Sequence, residues 1–197
     1  MKSIITISRE FGSGGHSIGQ LVAQKLGYHF YDRELVEKVS ERSGFSPEFI
    51  EESGEYASAK SSLLFSLATA GQYENSGMSM HDKLYVEQSK VIEELAAEGG
   101  CVIVGRCADY ILRDYRDCLH VFIHADMESR AKRIVERYGE QDRPPKKRLE
   151  EKDQKRKVYY KNYTGRSWGE AQNYGLCLNS GLLGIETCAE LIVAACK

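Results

Sequence analysis

Three glycines within four residues, Gly12, Gly14 and Gly15, run into His16 and Ser17. Glycine lets consecutive backbone N–H groups turn inward on an anion, and a helix launched there adds partial positive charge at its first turn. A serine at the same point offers a hydroxyl to a divalent cation. The chemistry open to such a stretch is phosphate binding. Set against the pattern G-x-x-x-x-G-K-[ST], Gly15-His16-Ser17 falls on the last three positions, with Glu10 in the place of the first glycine and His16 in the place of the lysine. A glycine cluster alone also reads as a plain strand-to-helix turn, so other residues have to decide.

The second group able to meet an anion is basic. Residues 130–157 hold twelve bases against six acids, in a chain whose formal net charge is −2. Asp126 begins a helix carrying Arg130, Arg133 and Arg137. Pro144-Pro145 interrupts it, and a second basic helix spans about 146–162. Two basic helices joined by a Gly139–Pro145 loop describe a hinged cover that can close over polyphosphate, or a solvated hairpin. Arg106 stands directly after the apolar run Cys101-Val102-Ile103-Val104-Gly105, where a ligand meets the carboxyl end of a strand in an open parallel sheet, although a surface arginine fits the same pattern. Asp32 closes the run Tyr28-His29-Phe30-Tyr31 and serves either as a ligand contact or as the cap of the next helix.

The elements that must position these residues alternate. Strands are expected at 2–7, 28–32, 101–105, 119–125 and 174–180, and helices at 17–26, 33–43, 81–98, 126 onward, 146–162 and 185–196. This order calls for a parallel sheet with helices on both faces. From 44 to about 77 a helical pattern is broken by Pro47, Gly54 and Gly71, and 72–80 reads as a loop. Residues 34–60 carry seven acids against three bases, as a mobile acceptor-binding subdomain or a solvated face would.

With 197 residues, 42% hydrophobic and 28% charged, the chain is long enough for one α/β domain with a sizeable core. Its slight acidity argues against general nucleic-acid binding. No apolar run reaches membrane-spanning length, and the amino terminus enters a strand without a signal-peptide pattern, which together suggest a cytoplasmic protein. The six cysteines form no C-x-x-C pair and read as buried, reduced thiols. His120 and His124 share a strand face, with packing favoured over metal binding. Tyr159, Tyr160, Tyr163 and Trp168 favour packing over base stacking. No convincing Ser/His/Asp or Cys/His nucleophile set is present.

The motif I-S-R-E-F-G-S-G-G-H-S-I-G followed by F-Y-D-R-E-L, with V-I-V-G-R-C-A-D-Y-I-L, H-A-D-M-E-S-R-A-K-R-I, D-Q-K-R at 153–156 and Y-G-L-C-L-N-S in that order, resembles the cytidylate kinase-like proteins over nearly the whole chain. The resemblance implies a three-layer α/β/α P-loop kinase fold with a five-stranded parallel sheet. It implies a core at about 1–33, 99–129 and 170–197, an acceptor-binding helical insert at about 34–98 and an arginine-rich lid at about 130–165. It implies ATP-dependent phosphoryl transfer to a small acceptor, CMP or dCMP by analogy. The alternatives are a catalytically weak or inactive nucleotide-binding regulator and a kinase of a non-nucleotide small metabolite.

Carried over by position, Gly12, Ser13, Gly14, Gly15, His16 and Ser17 bind the ATP phosphates, and Ser17 ligates the Mg²⁺ that accompanies ATP. Asp32, Lys38 and Arg106 fall on the acceptor side, Lys38 standing where an arginine is expected. Arg130, Arg133 and Arg156 hold the transferred group on closure, with Asp153 three residues before Arg156 on one helix face to orient it. His16, in place of lysine, implies reduced but real activity that rises on mild acidification.

Overall fold

A computed structural model describes residues 2–55 and 79–197. Most of the expected loop at 72–80, and the interrupted helical stretch from residue 56 onward with Gly71, lie outside the described residues. Among the described residues five strands form one sheet: β1 (Ile4–Arg9), β2 (His29–Tyr31), β3 (Cys101–Val104), β4 (Cys118–His124) and β5 (Leu176–Asn179). Their order is β2-β3-β1-β4-β5, and every pairing is parallel. The β-branched run at the amino terminus takes the centre, Ile4 pairing with both Cys101 and Cys118. β1 extends to Arg9, pairing it with Ile123, two residues beyond the expected end. This places Ser8 and Arg9 at the carboxyl edge of the sheet.

Helices cover both faces, as alternating β and α segments require. They are α1 (Gly15–Leu26), α2 (Arg33–Ser43), α3 (Pro47–Ser53), α4 (Met80–Glu98), α5 (Ala108–Ile111), α6 (Met127–Tyr138), α7 (Pro145–Thr164) and α8 (Ser180–Ala195). On one face Leu35, Val39, Ile50, Leu84 and Ile92 pack against Ile4 and Ile103. On the other, Ile18 and Val22 of α1 and Ala189 and Ile192 of α8 pack against Ile5, Ile7, Val121 and Ile123. The result is a three-layer α/β/α fold around a five-stranded parallel sheet.

Local chemistry explains where the elements differ from expectation. Pro47 does not break a helix but opens α3, where its missing N–H costs nothing, and the Ser46 hydroxyl accepts from Phe49 N at 3.2 Å. α8 begins at Ser180 rather than 185, because the Asn179 side chain caps Gly181 and Leu182. Gly184, with φ 78 and ψ 169, then kinks the helix where the sequence pattern alone starts it. Of the six cysteines, five are buried and Cys177 is exposed on β5. The His120 ring sits across from Thr6, its Nδ1 2.8 Å from Thr6 Oγ1, and burial pushes its pKa down.

Candidate functional site

The turn from β1 into α1 is a nest built on two left-handed glycines, Gly12 (φ 79) and Gly14 (φ 81). Its frame is pinned from three directions. Glu10 N donates to Ile123 O at 3.0 Å, Phe11 N donates to the Asp153 carboxylate at 2.8 Å, and the Ser180 hydroxyl donates to Ser13 O. Ser13 itself is fully buried. The first-turn N–H groups of α1 have no intrahelical acceptor, as at any helix start, and open toward the nest. A Cβ on Gly12 would come within 2.9 Å of Ile134 Cγ2 and 3.1 Å of Leu149 Cδ2, so the basic hairpin packs directly on the loop. A Cβ on Gly14 would lie 2.8 Å from Arg133 Nη1, which sets that guanidinium against the nest. Arg137, one turn further along α6, donates to Ser17 Oγ at 3.0 Å.

His16 reaches sideways toward β2. Its Nε2 lies 3.3 Å from Asp32 Oδ2, and its ring meets Phe30 edge-on at 5.2 Å. Asp32 precedes α2 but makes no side-chain capping bond, so its carboxylate is committed to His16 rather than to the helix. Lys38 is half-buried and pairs with Glu34 at 3.8 Å, and among the described residues no ion pair joins it to Asp32.

Beside the nest, at the carboxyl ends of β1 and β3, lies a tight cleft of about 10 Å³, room for roughly one water, walled by Arg9, Arg106, Arg156, Tyr159 and Trp168, with Glu55 among them. Gly105, Arg106 and Cys107 all have positive φ (75, 56 and 56). Two consecutive non-glycine residues in that region cost on the order of 1–3 kcal/mol each and survive only where the surroundings enforce them. The bend turns the Arg106 side chain inward, where Nη1 donates to Gln88 Oε1 at 3.0 Å. Arg156 donates to Arg9 O at 3.0 Å and approaches Glu55 Oε2 at 3.4 Å, while Arg9 pairs with Glu55 Oε1. Burial alone would raise the Glu55 carboxyl, but the charges of Arg9, Arg156 and Arg106 outweigh it and hold the group at about 2. Below the cleft, Asp109 accepts from Ser8 Oγ at 3.1 Å and Tyr160 OH at 2.7 Å, and burial raises its pKa.

The expected pairing within the hairpin is corrected by the structure. Asp153 does not orient Arg156. It faces Arg130, Oδ2 to Nη1 at 2.5 Å, and Arg130 also donates to Phe11 O at 3.2 Å. Arg156 turns to Glu55 instead. The reason is spacing across the fold: Asp153 and Arg156 share a helix face, but α6 brings Arg130 over that face first, and the chain at Phe11 fills the gap. Arg130, Asp153 and Arg156 are thus buried and tie the hairpin to β1 and the loop.

Sequence reasoning missed Glu55, Arg137 and Glu10 as parts of the site. Arg137 carried a usable signal, lying four residues from Arg133 and hence on the same helix face. Glu10 sits in the position of a loop glycine; its carboxylate accepts from Ala125 N at 3.1 Å and lies 3.4 Å from Arg130 Nε. Glu55 was one acid among seven, and nothing in its neighbourhood in sequence distinguishes it.

Among solved structures, an uncharacterized protein from Eubacterium ventriosum is similar over 98% of this chain and 97% of its own, with a TM-score of 0.73 and 26% identity. Shikimate kinases from Bacteroides thetaiotaomicron (TM-score 0.57, 16% identity, 98% of this chain and 96% of that one) and Acinetobacter baumannii (TM-score 0.56, 15% identity, 98% and 92%) share the fold. No curated protein matches the chain in sequence. No helix among the described residues is long and apolar enough to cross a membrane. The model of the cytidylate kinase-like family matches residues 4–182, and the chain belongs to that family.

Proposed function

We propose that the protein transfers the γ-phosphoryl group of MgATP to a small anionic acceptor in the cytoplasm, with a nucleoside monophosphate such as CMP or dCMP as the first candidate. The observation that carries this reading is the wall shared by nest and cleft. A Cβ on Gly15 would lie 2.5 Å from Arg9 Cβ, while the guanidinium of the same arginine enters the cleft. Two anion-receptive spaces therefore meet at one residue, as a donor and an acceptor of a phosphoryl group must. The transfer asks mainly for positioning and charge neutralisation, and no covalent nucleophile is needed.

The loop N–H groups receive the donor's phosphates, and Arg133 and Arg137 approach the group being moved with the planar fork that suits phosphate oxygens. Gly14 fits that task, since any side chain there would collide with Arg133. Ser17 would hold the Mg²⁺ carried with ATP, which supplies charge neutralisation on the phosphate oxygens. The residue fits, because among the described residues its hydroxyl is engaged by the Arg137 side chain alone, which can move aside. Arg9, Arg106 and Arg156 hold the acceptor's anion, and the Asp32–His16 pair borders the acceptor side at the end of β2. Arg130 and Asp153 act as positioning residues through Phe11, whose carbonyl and N–H they bind. The hairpin over the loop also shields the transferred group from water.

A second reading, a kinase of a small metabolite, draws on the modest volume of the cleft and on Lys38, which pairs with Glu34 instead of with the acceptor-side residues. A third, a nucleotide-binding regulator, draws on His16 being paired with Asp32. A coupled ADP-release assay across nucleoside monophosphates and small carboxylate metabolites, shikimate among them, separates all three. Acceptor-dependent ADP release with CMP or dCMP supports the first; release with another acceptor alone supports the second. MgATP binding without turnover supports the third, and no MgATP uptake by calorimetry overturns them all.

A further inference from the structure

Glu55 occupies a position that a charged side chain takes only with compensation. Its side chain is 13% exposed, at the carboxyl end of α3, just past the Gly54 cap. Three guanidinium groups surround it: Arg9 on one carboxylate oxygen, Arg156 at 3.4 Å on the other, and Arg106 close enough to add its charge. Those three arginines come from the end of β1, the turn after β3 and the middle of α7. These are three separate elements, and Arg106 also donates to Ile50 O of α3 at 3.4 Å. A Cβ on Gly105 would collide with both Glu55 Oε1 and Arg9 Nη1, so the ion pair presses against the backbone at the carboxyl end of β3, where a ligand sits in this kind of sheet.

We propose that Glu55 is a built-in occupant of the cleft's anion subsite, a carboxylate that an incoming acceptor must expel before it can bind. The inference rests on the reading of this cleft as the acceptor site. Glu55 mimics the class of group the subsite takes, a compact oxyanion, either a carboxylate or a phosphate. Its displacement follows ordinary exchange: one set of charge-assisted hydrogen bonds replaces another, and the leaving carboxylate returns to water. A self-occupied site binds its ligand more weakly in proportion to the fraction of molecules in which it is empty. The acceptor then gains the cleft only at concentrations that overcome this internal competitor, and the arginines stay neutralised and in place while the site waits. A Glu55 that merely orients the arginines makes the opposite demand, because its loss would then weaken anion binding.

The chain's single tryptophan, Trp168, lines the cleft and reports on it without any turnover. Inorganic phosphate and acetate are titrated separately into the full chain and into Glu55→Gln, following Trp168 fluorescence. Binding of either ion about tenfold tighter or more in the variant supports the proposal, and the ion that gains more identifies the acceptor's anion. Equal or weaker binding of both overturns it. Glu55→Asp, which keeps the charge but draws it back by one methylene, is expected to fall between the two.

If Glu55→Gln does not fold, hydrogen exchange on the unmodified protein takes its place. Saturating phosphate is expected to speed exchange at Gly54 and Glu55 as the side chain leaves, and unchanged or slower exchange overturns the proposal. MgATP affinity is measured in parallel on the same samples. Loss of MgATP binding in the unmodified protein defeats the kinase reading while leaving the anion titration interpretable on its own.

Discussion

Arg130 and Arg133 stand within one turn of each other on α6 and meet opposite surroundings. Arg130 is buried, 2.5 Å from Asp153 and 3.4 Å from Glu10, and its charge is already matched inside the fold. Arg133 is half-buried against Gly14 and has no carboxylate within ion-pair distance among the described residues. A guanidinium neutralised by its own protein holds structure together. One held without a counter-charge over a loop of backbone donors is, on the proposed function, the one that meets the transferred phosphate. The two positions look alike in sequence, since both are arginines in the motif H-A-D-M-E-S-R-A-K-R-I. The partner brought by α7, not the residue type, divides the roles.

The comparison is broken most directly at Arg130. Arg130→Ala strands the buried Asp153 carboxylate, and removing one partner of a buried pair costs about 3–5 kcal/mol. Denaturant melts should show that loss. A variant as stable as the parent would mean that the pair at 2.5 Å contributes nothing. Arg133→Ala should do the reverse. Turnover is expected to fall by about 10²–10³, the scale of losing a donor aimed at developing charge. Stability should change by less than about 0.5 kcal/mol, as for a side chain with no buried partner to abandon. Equal losses of stability in both variants would erase the distinction.

Glu55 sharpens the contrast through pH. Its folded-state pKa, about 2, lies below the ordinary carboxyl value of 4.5, so its contribution to stability is fully present above 4.5 and drains away as pH falls toward 2. The parent and Glu55→Gln should therefore differ in unfolding free energy by a constant amount from neutral pH down to about 4.5, and converge below it. A difference that persists unchanged at pH 2 would place the carboxylate outside the arginine cluster.

How much of this was legible in the sequence depended on whether a feature was local. The β1 run, the glycine nest and the helix after it are written in adjacent residues, so pattern and turn chemistry suffice. The helices at 33–43 and 80–98 also carry their own stripes and caps: Ser79 caps Asp82 N at 3.0 Å, and Gly44 ends the earlier helix with φ 73. The pairing partners were not legible. Asp153 and Arg156 are neighbours on a helix face, and only the packing of α6 across α7 gives Asp153 to Arg130 and leaves Arg156 to Glu55. Glu55 lies 46 residues from Arg9 and 101 from Arg156, and helical periodicity says nothing at those separations. Arg106 was expected at a strand end, but its left-handed backbone, which aims it into the cleft, has no sequence mark beyond the glycine before it.

The smallest expected effect is at His16. In the lysine position of the loop pattern it would be expected to carry much of the phosphate-binding charge. Its observed place, 3.3 Å from Asp32 with 42% of the side chain exposed, makes it one half of a solvent-screened pair, worth less than about 1 kcal/mol. His16→Ala should accordingly slow turnover by no more than roughly fivefold, since 1 kcal/mol corresponds to a factor of that order in rate. The charge missing from the loop is then supplied by Arg133 and Arg137 from α6. A double variant, His16→Ala with Arg137→Ala, separates the two sources: independent contributions multiply. If His16→Ala alone removes nearly all activity, the imidazole has swung from Asp32 to the phosphates in the working enzyme.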